Sequence, residues 1–291
     1  MKDKKQLFEH FLAFFTIFVW ALTFICTKEL QETFTSLEIV VIRYIIAYIV
    51  LWIIHPKKPV FYNLEDEAMI IIASIAGQSA YQFLENYSVE FTTPASVSFI
   101  TALAPLFAAI FSHFILKTEL TPRTIIGMLI SIVGVGFVSF GDSRILDTGL
   151  KGDLIIFCTV WLWAVYSIII SVQASRGHNG VEVTRKLFFY SLVEMAIPVA
   201  FTCDVSRSDF TIKSIIGLVF LGIFASAICF YTWNRAVEKI GVVTTAKYLF
   251  VMPIITLIAQ VILKVSEFSI IAVFGMALIL LGLFVGEKRK D

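Results

Sequence analysis

The chain has 291 residues, of which 58% are hydrophobic and 15% are charged, with a formal net charge of +1 and a mean hydropathy of +0.89. A soluble domain carries about 25% charged residues, so this composition predicts a protein embedded in lipid. The basic residues are scattered, which argues against a nucleic-acid partner. The four cysteines show neither a disulfide framework nor metal-ligand spacing, and we expect no metal and no cofactor.

Ten segments are long and apolar enough to cross a membrane, since a helix needs about 20 mostly apolar residues to do so. The alternation of polar and apolar residues that marks a membrane β-barrel is absent from the sequence. We therefore predict an all-α membrane protein with ten transmembrane helices. Their predicted ranges are 8–28, 36–54, 68–88, 93–115, 122–140, 152–172, 184–202, 213–236, 241–263 and 268–286.

Lysine and arginine set the expected orientation, because short cytoplasmic loops are enriched in both. With the N-terminus in the cytoplasm, more than twice as many basic residues fall on the inner side as on the outer side. The sequence therefore predicts a multi-pass protein of the cell membrane whose N- and C-termini are both cytoplasmic.

The two halves of the sequence repeat each other. A shift of 148 positions aligns residues 75–134 with 223–282 without a gap. Each half holds five spans, an odd number, so the second half must enter the membrane upside down relative to the first. We predict two inverted five-helix repeats, over residues 1–141 and 150–291. The polar, glycine and proline coincidences that carry the alignment are Asn86/Asn234, Glu90/Glu238, Pro105/Pro253, Glu119/Glu267, Gly127/Gly275 and Gly134/Gly282.

This organisation resembles the EamA branch of the drug/metabolite transporter superfamily, over nearly the whole chain. The resemblance implies a carrier for small metabolites, often an exporter, with its cavity between the two halves. It also implies that the first four helices of each half surround the cavity and that the fifth is peripheral. Lys247 stands where a neutral residue is more usual in the family. The motifs that carry the resemblance are Asn86-Tyr-Ser-Val-Glu90, Ala104-Pro105 and Glu119, echoed by Asn234-Arg-Ala-Val-Glu238, Met252-Pro253 and Glu267.

The third predicted helix carries a polar stripe. Gln78, Tyr81, Gln82 and Glu85 follow one another at spacings of three and four residues, which places them on one face of a helix. Lipid cannot satisfy such groups, so the stripe should face the bundle interior or a wet cavity. Interhelical hydrogen bonding alone would also explain it. Two glutamines and a glutamate exceed what packing requires, and we predict that they line the transport pathway.

Four charged residues lie inside predicted spans. Arg43 and Glu85 share one depth, and Glu194 and Lys247 roughly share another. A lone charge at the bilayer centre costs about 3 kcal/mol on insertion scales, so each needs a partner. One interpretation is two neutralised pairs that fix helix register. The other is that Lys247 or Arg43 receives an anionic group of the cargo. A carboxylate, Glu85 or Glu194, would then bind the amine of the cargo or a coupling proton.

Two tryptophans match in the repeat at a shift of 143. Trp20 and Trp163 lie at mid-span, deeper than the aromatic belts at membrane interfaces. Cavity walls and helix packing both explain them, and we favour the cavity. Three residues of the second half belong to the same class of candidates, namely Tyr231, Asn234 and Tyr248.

Pro105 and Pro253 occupy equivalent mid-helix positions in the fourth and ninth spans. Each removes a backbone donor and bends its helix. A static kink would be ordinary in a membrane helix, but the equivalent placement in inverted halves favours a paired gating role.

The fifth and tenth spans are almost purely apolar and carry glycines, among them Gly127, Gly134, Gly275 and Gly282. Small residues allow close helix approach, so these spans should pack or form a homodimer interface and not bind cargo. Glu119 and Glu267 precede the same two helices, and we expect them to act as N-terminal caps or interface residues.

Taken together, the pattern predicts a secondary transporter that moves a small metabolite by alternating access. An amino acid or related zwitterion is the expected cargo, because both charge signs occur near the expected cavity, and export is the expected direction. The alternative is an intramembrane lipid-modifying enzyme or a non-transporting scaffold. An enzyme would cluster its polar residues near one interface, and a scaffold would not need them, so we expect no enzyme.

Overall fold

The computed structural model describes residues 2–92, 94–140, 150–202, 210–264 and 269–286. These residues group into ten helical segments, and no strand occurs among them. Four of the segments are composite. The bounds are α1 Lys2–Leu30; α2 Ser36–Ile54; α3 Leu64–Ser74, Ile75–Ser79 and Ala80–Phe91; α4 Pro94–Thr101 and Ala104–Leu116; α5 Pro122–Phe140; α6 Leu150–Ser175; α7 Gly180–Thr202; α8 Ile212–Phe220, Leu221–Ile228 and Cys229–Ile240; α9 Val242–Ala246, Lys247–Val251 and Met252–Ile262; and α10 Ile270–Val285.

Six of these helices are long and apolar enough to cross a membrane, and α5 and α10 contain shorter apolar helices. The remaining two, α3 and α7, carry polar or charged side chains within their apolar stretches, which lowers their hydropathy. The six spans are Gln6–Leu30, Ser36–Ile54, Phe99–Leu116, Leu150–Ser175, Ile212–Ile240 and Val242–Ile262.

The distribution of side chains is the reverse of that in a soluble protein. Large apolar residues stay exposed on the outside of the bundle, as Ile53, Phe114 and Phe201 do. Polar residues such as Arg43 and Gln78 are buried inside it. Exposed apolar surface of this extent belongs against lipid. The protein is therefore an all-α, multi-pass membrane protein.

Side-chain caps set several helix starts. Thr35 and Glu38 form a reciprocal capping box before α2, and Asn63 caps α3 by accepting a hydrogen bond from the Asp66 amide. The cap before α5 is Thr121, whose hydroxyl accepts a hydrogen bond from the Thr124 amide at 3.2 Å. Glu119 is therefore not the capping residue, and its alternative role at an interface stays a prediction. Glu267 lies outside the described residues.

The helix irregularities recur in the register of the sequence repeat. A π-helical segment interrupts α3 at Ile75–Ser79, and another interrupts α8 at Leu221–Ile228, which spans the equivalent residues 223–227. The helix is broken again before Pro105 in α4 and before Pro253 in α9, and each proline sits in the first turn of the helix that follows. Proline lacks the amide that continues a helix but suits a first turn. The regular α-helical pattern is thus interrupted before each proline, by a turn at 102–103 in α4 and by the 3₁₀ segment Lys247–Val251 in α9, within one continuous helical span in each case.

Helices α5 and α10 pack against each other through the predicted glycines. A Cβ atom on Gly127 would lie 2.5 Å from the carbonyl oxygen of Gly282, and one on Gly134 would lie 2.7 Å from that of Gly275. Gly127 and Gly134 thus meet Gly282 and Gly275 in reverse order, so the helices run antiparallel. Gly127 is equivalent to Gly275 in the repeat, and Gly134 is equivalent to Gly282. Exchanging the two repeats therefore converts one glycine contact into the other, so the interface is reciprocal. These glycine faces are used within the chain, and a homodimer stays a prediction.

Two hydrophobic clusters separate the centre of the bundle from its periphery. The larger cluster takes buried residues from α1 to α4 and from α6 to α9. The smaller one joins α5 and α10 to α4 and α9 through residues such as Ala109, Met128, Leu257 and Ile279. Eight helices therefore surround the centre, and α5 and α10 lie outside them, as the family resemblance implies.

We predict that Gly282→Ala destabilises the protein, because its new Cβ atom would lie 2.5 Å from the backbone oxygen of Gly127. Overpacking of this kind costs about 1–3 kcal/mol, which should lower the melting temperature of the detergent-purified protein by several degrees. Gly180→Ala is the matched control, because a Cβ atom there meets nothing within 4 Å. Equal melting temperatures for the two variants would contradict the close contact of α5 with α10.

Candidate functional site

A cavity lies inside the eight central helices. It encloses about 370 Å³ of atom-free space, but the centre of a water molecule can occupy only about 20 Å³ of it, which is room for about one water. The cavity is therefore narrow, and it has no room for a metabolite in this conformation. The lining residues are Trp20, Thr23 and Phe24 of α1, Arg43 of α2, Tyr81, Gln82 and Glu85 of α3, Thr101 of α4, Trp163 of α6, and Leu249 and Met252 of α9.

Arg43 supplies the positive charge on the cavity lining. Its side chain is only 2% exposed, its Nε donates to the Ser226 hydroxyl at 2.8 Å, and its Nη1 donates to Gln82 Oε1 at 3.0 Å. These bonds connect α2 with α3 and with α8 of the second half. Both acceptors are neutral, and no carboxylate of the described residues lies within 4 Å of the guanidinium.

Glu85 lines the same cavity without an ion-pair contact to Arg43. Its Oε1 accepts a hydrogen bond from the Tyr81 hydroxyl at 3.0 Å. The two groups therefore make no direct ion pair within 4 Å, although their opposite charges interact across the cavity. Equal depth along two helices brought both groups to one cavity, but their side chains hydrogen-bond to different partners. A cation and a carboxylate thus lie on the lining of one cavity.

Aromatic rings also line the cavity. Trp20 and Trp163, the tryptophans matched by the repeat, stand edge-to-face with ring centroids 5.5 Å apart. Trp233 completes the cluster at 5.2 Å from Trp20 and 5.7 Å from Trp163. The Trp20 indole donates to the Ala225 carbonyl at 2.8 Å. The indole N–H groups of Trp163 and Trp233 are buried and have no hydrogen-bond partner among the described residues, and of the two only Trp163 lines the cavity.

Gln78 does not line the cavity, although the helical spacing placed it with Gln82 and Glu85. It is fully buried, and neither atom of its amide group has a partner in the described part of the chain. The reason is the π-helical segment Ile75–Ser79, which contains Gln78. The wider i→i+5 turn of a π-helix changes the angular spacing, so the one-face rule for an α-helix fails here.

Glu194 and Lys247 do not pair with each other. Glu194 accepts hydrogen bonds from the hydroxyl groups of Ser74 and Ser79, on either side of the same π-helical turn. Lys247 donates to the carbonyl oxygen of Gly286 at 2.6 Å, beyond the end of α10. The predicted pair is therefore wrong, and neither residue lines the cavity.

The remaining candidates lie outside the cavity lining. Asn234 accepts from the Tyr166 hydroxyl at 2.6 Å and donates to Thr184 at 3.0 Å, so it connects α6, α7 and α8. The Tyr248 hydroxyl lies 2.9 Å from His10 Nδ1. Tyr231 is partly exposed. Their roles in binding cargo stay predictions.

Sequence reasoning missed several lining residues, and the repeat register was the signal that could have found them. A shift of 148 takes Thr101 to Leu249, and both line the cavity at the helix irregularities that precede the prolines. The same shift takes Gln78 to Ser226, the partner of Arg43, and Glu85 to Trp233. The first half thus has an amide and a carboxylate at positions where the second half has a hydroxyl and an aromatic ring.

Ionic contacts close the end of the bundle where α3 begins. Asp66, in the first turn of α3, accepts hydrogen bonds from Arg176 and from His178, the latter at 2.9 Å. Tyr62 stacks on His178 with ring centroids 3.8 Å apart. Burial alone would raise the pKa of Asp66, but the hydrogen bonds from His178 and Arg176 outweigh it and keep the pKa below its ordinary value. This carboxylate joins α3 to the loop between α6 and α7.

A second buried contact lies beside the first. Glu67 forms an ion pair with Lys186 of α7. It also accepts a hydrogen bond from the Tyr190 hydroxyl at 2.6 Å and one from the Tyr62 amide at 3.1 Å. The start of α3 is therefore held against α7 by charge as well as by packing.

Hydrogen bonds close the opposite end of the bundle too. The Gln31 amide donates to the Asn86 carbonyl at 2.8 Å, and the Ser36 hydroxyl donates to Glu90 at 2.7 Å. The loop between α1 and α2 is thereby held to the end of α3.

The chain was compared with known proteins. The model of the EamA-like transporter family matches residues 7–140 and again residues 150–285. The chain is 26% identical over 221 residues to the uncharacterized transporter YyaM of Bacillus subtilis, covering 75% of this chain and 72% of that protein. It is 24% identical over 280 residues to an uncharacterized transporter of Archaeoglobus fulgidus, covering 94% and 97%.

Two further likenesses are more distant. A protein of Streptantibioticus cattleyicolor named as a probable terminal-alkyne amino-acid exporter is 23% identical over 230 residues, covering 77% of this chain and 74% of that protein. A crystal structure matches with a TM-score of 0.77 and 19% identity, covering 96% of both chains. That structure establishes a shared fold.

We predict that Glu67→Gln lowers the stability of the protein, because it leaves the Lys186 ammonium buried without its carboxylate. Breaking one partner of a buried pair costs about 3–5 kcal/mol, whereas the double variant Glu67→Leu/Lys186→Met should recover most of the loss. Glu238→Gln is the control, because it breaks the more exposed pair with Lys239 and should change little. The measurement is the melting temperature in detergent, and an unchanged value for Glu67→Gln would contradict the buried pair.

Proposed function

Because the chain belongs to the EamA-like transporter family, we propose that it is a secondary transporter for a small zwitterionic metabolite. The cargo is an amino acid or a related compound, and the direction is export from the cell. The central cavity opens alternately to the two sides of the membrane. The observation that carries this proposal is the buried guanidinium of Arg43, which faces the cavity without a carboxylate in contact.

Arg43 would hold the carboxylate of the cargo. Burial of a charged side chain is costly unless an oppositely charged group pairs with it. The acceptors that Ser226 and Gln82 offer to Arg43 are both neutral. A guanidinium can form a bidentate pair of hydrogen bonds with a carboxylate. Such charge-assisted hydrogen bonds are stronger than those between neutral groups. An anionic group of the cargo would therefore supply the negatively charged partner that Arg43 does not contact within the chain.

Glu85 and the aromatic wall would hold the ammonium group. Glu85 is the carboxylate on the lining of the cavity, and Trp20 and Trp163 offer ring faces that attract a cation. Opposite charges on two walls favour a zwitterion over a simple anion or a simple cation. The relative named as a probable amino-acid exporter supports the same cargo class and the same direction.

Alternating access would work through two inverted repeats and ten spans. The reciprocal, antiparallel contact between α5 and α10 and the recurrence of the interruptions in α3, α8, α4 and α9 support this arrangement. The interruptions before Pro105 and Pro253 lie at Thr101 and Leu249 of the cavity lining, where bending of the helices would change the shape of the cavity. These two helices are the proposed gates, and both termini are cytoplasmic in this proposal.

We predict that Arg43→Gln lowers amino-acid transport by about tenfold to a hundredfold, since a hydrogen bond to a charged group contributes about 1.5–3 kcal/mol. The measurement is uptake of radiolabelled amino acids, one at a time, into proteoliposomes. Arg123→Gln is the matched control, because Arg123 donates to the Val285 carbonyl at 2.7 Å on the exposed surface. Full transport of every amino acid by Arg43→Gln would contradict the proposal.

A coupling proton would bind to Glu85 when the ammonium group of the cargo is absent. We predict that transport by the wild-type protein depends on the pH difference across the proteoliposome membrane and that Glu85→Gln loses this dependence. Glu90→Gln, five residues further along α3 and bonded to Ser36, should keep it. An identical pH dependence in Glu85→Gln and the wild-type protein would exclude Glu85 as the proton carrier.

A further inference from the structure

A second cavity lies at the end of the bundle where α2 ends and α7 begins. It encloses about 510 Å³ of atom-free space and shares no lining residue with the central cavity. The side chains around it are aromatic and charged, and it opens beside the exposed apolar surface of α2. Its lining residues are Tyr48, Pro59, Val60, Phe61, Glu67, Arg185, Lys186, Phe189 and Tyr190.

Arg185 is the side chain of this cavity that the fold leaves incompletely paired. It is only 1% exposed. Its Nη1 donates to the His55 carbonyl at 2.6 Å, and its guanidinium lies 5.3 Å from the ring centroid of Trp52. Its Nη2 has no hydrogen-bond partner in the described part of the chain, nor does any carboxylate described there lie within 4 Å of it.

The carboxylates nearby are already used. Glu67 pairs with Lys186 and accepts from Tyr190. Glu182, one turn before Arg185 on α7, accepts from the Val60 amide at 2.7 Å. Among the lining residues, Arg185 and Lys186 are positive and Glu67 is negative, so the lining carries one surplus positive charge, with Glu182 outside it. A guanidinium with a spare donor is suited to an anion, a phosphate above all.

An apolar groove continues from this cavity toward the lipid. It is lined by Tyr48, Ile49, Trp52, Ile53 and Pro56, with about 690 Å³ of atom-free space that includes its open side. Tyr48 belongs to both the groove and the cavity, and Trp52 of the groove lies against Arg185. An exposed apolar groove that ends at a buried cation is complementary to a lipid, in which an acyl chain is attached to a charged headgroup. A free phosphate would use only the cavity.

We propose that this cavity binds the phosphate headgroup of an anionic membrane lipid, with the phosphate on Arg185 and an acyl chain along the groove of α2. Basic pockets between membrane helices are typical sites for such headgroups. The bound lipid would lie beside the Glu67–Lys186 contact that joins α3 to α7. The site is independent of the cargo proposed for the central cavity.

The test is native mass spectrometry of the full chain purified in detergent. The probes are phosphatidylglycerol, phosphatidylcholine with the same acyl chains, and glycerol 3-phosphate as a headgroup without chains. We expect the wild-type protein to retain one phosphatidylglycerol more tightly than the other two probes. Arg185→Gln should weaken this binding at least tenfold, whereas Arg123→Gln, on the exposed surface, should leave it unchanged.

A second variant separates a lipid from a free phosphate and does not disturb the core. Ile53 is 73% exposed in the groove, so Ile53→Trp should block the acyl chain and leave the fold intact. We expect it to weaken phosphatidylglycerol binding by several-fold. Unchanged phosphatidylglycerol binding in both Arg185→Gln and Ile53→Trp would overturn the proposal. So would glycerol 3-phosphate that binds as tightly as the lipid, because the site would then take a free phosphate.

Discussion

Hydrocarbon offers no hydrogen bonds, and this constraint decides where the polar side chains of the chain can lie. Arg43 shows its effect most clearly. The guanidinium is buried in the bundle and bonds to Gln82 of the first half and to Ser226 of the second, so the two halves are held together at the residue that carries the central charge. Movement of one half against the other must change these bonds. A cargo carboxylate that offers new bonds to Arg43 would therefore bind and alter the contact between the halves in one step.

The repeat builds a symmetric frame around an asymmetric site. The π-helical segments, the interruptions at the two prolines and the reciprocal glycine contact all recur in one register. The lining does not recur, because the first half supplies Arg43 and Glu85, whereas Trp233 of the second half stands at the position equivalent to Glu85. The charged residues of the cavity lining therefore lie on one half of the chain. An enzyme active at one membrane surface would not need its charged groups between two such halves.

The helices could be predicted well because length and hydropathy act locally. The bounds of α2 and α5 agree with the predicted ranges, and six of the twelve predicted binding residues line one cavity. The pairings failed for a physical reason. Depth along a helix follows from residue number, but the direction of a side chain around the axis depends on packing and on the irregular turns. Gln78 therefore does not line the cavity with Gln82 and Glu85. Glu194 hydrogen-bonds to Ser74 and Ser79, and Lys247 donates to Gly286 instead of pairing with Glu194.

The central claim is that Arg43 binds the carboxylate of a zwitterionic cargo beside Trp20, Trp163 and Trp233. Tryptophan fluorescence of the purified protein tests it directly, because two of its five tryptophans, Trp20 and Trp163, line the cavity and a third, Trp233, packs against both. Each protein amino acid would be titrated alongside its carboxamide, which lacks the negative charge. The account predicts a saturable change in emission with at least one amino acid and at least tenfold weaker binding of its carboxamide. Equal responses to acid and carboxamide, or no saturable response to any amino acid, would contradict it.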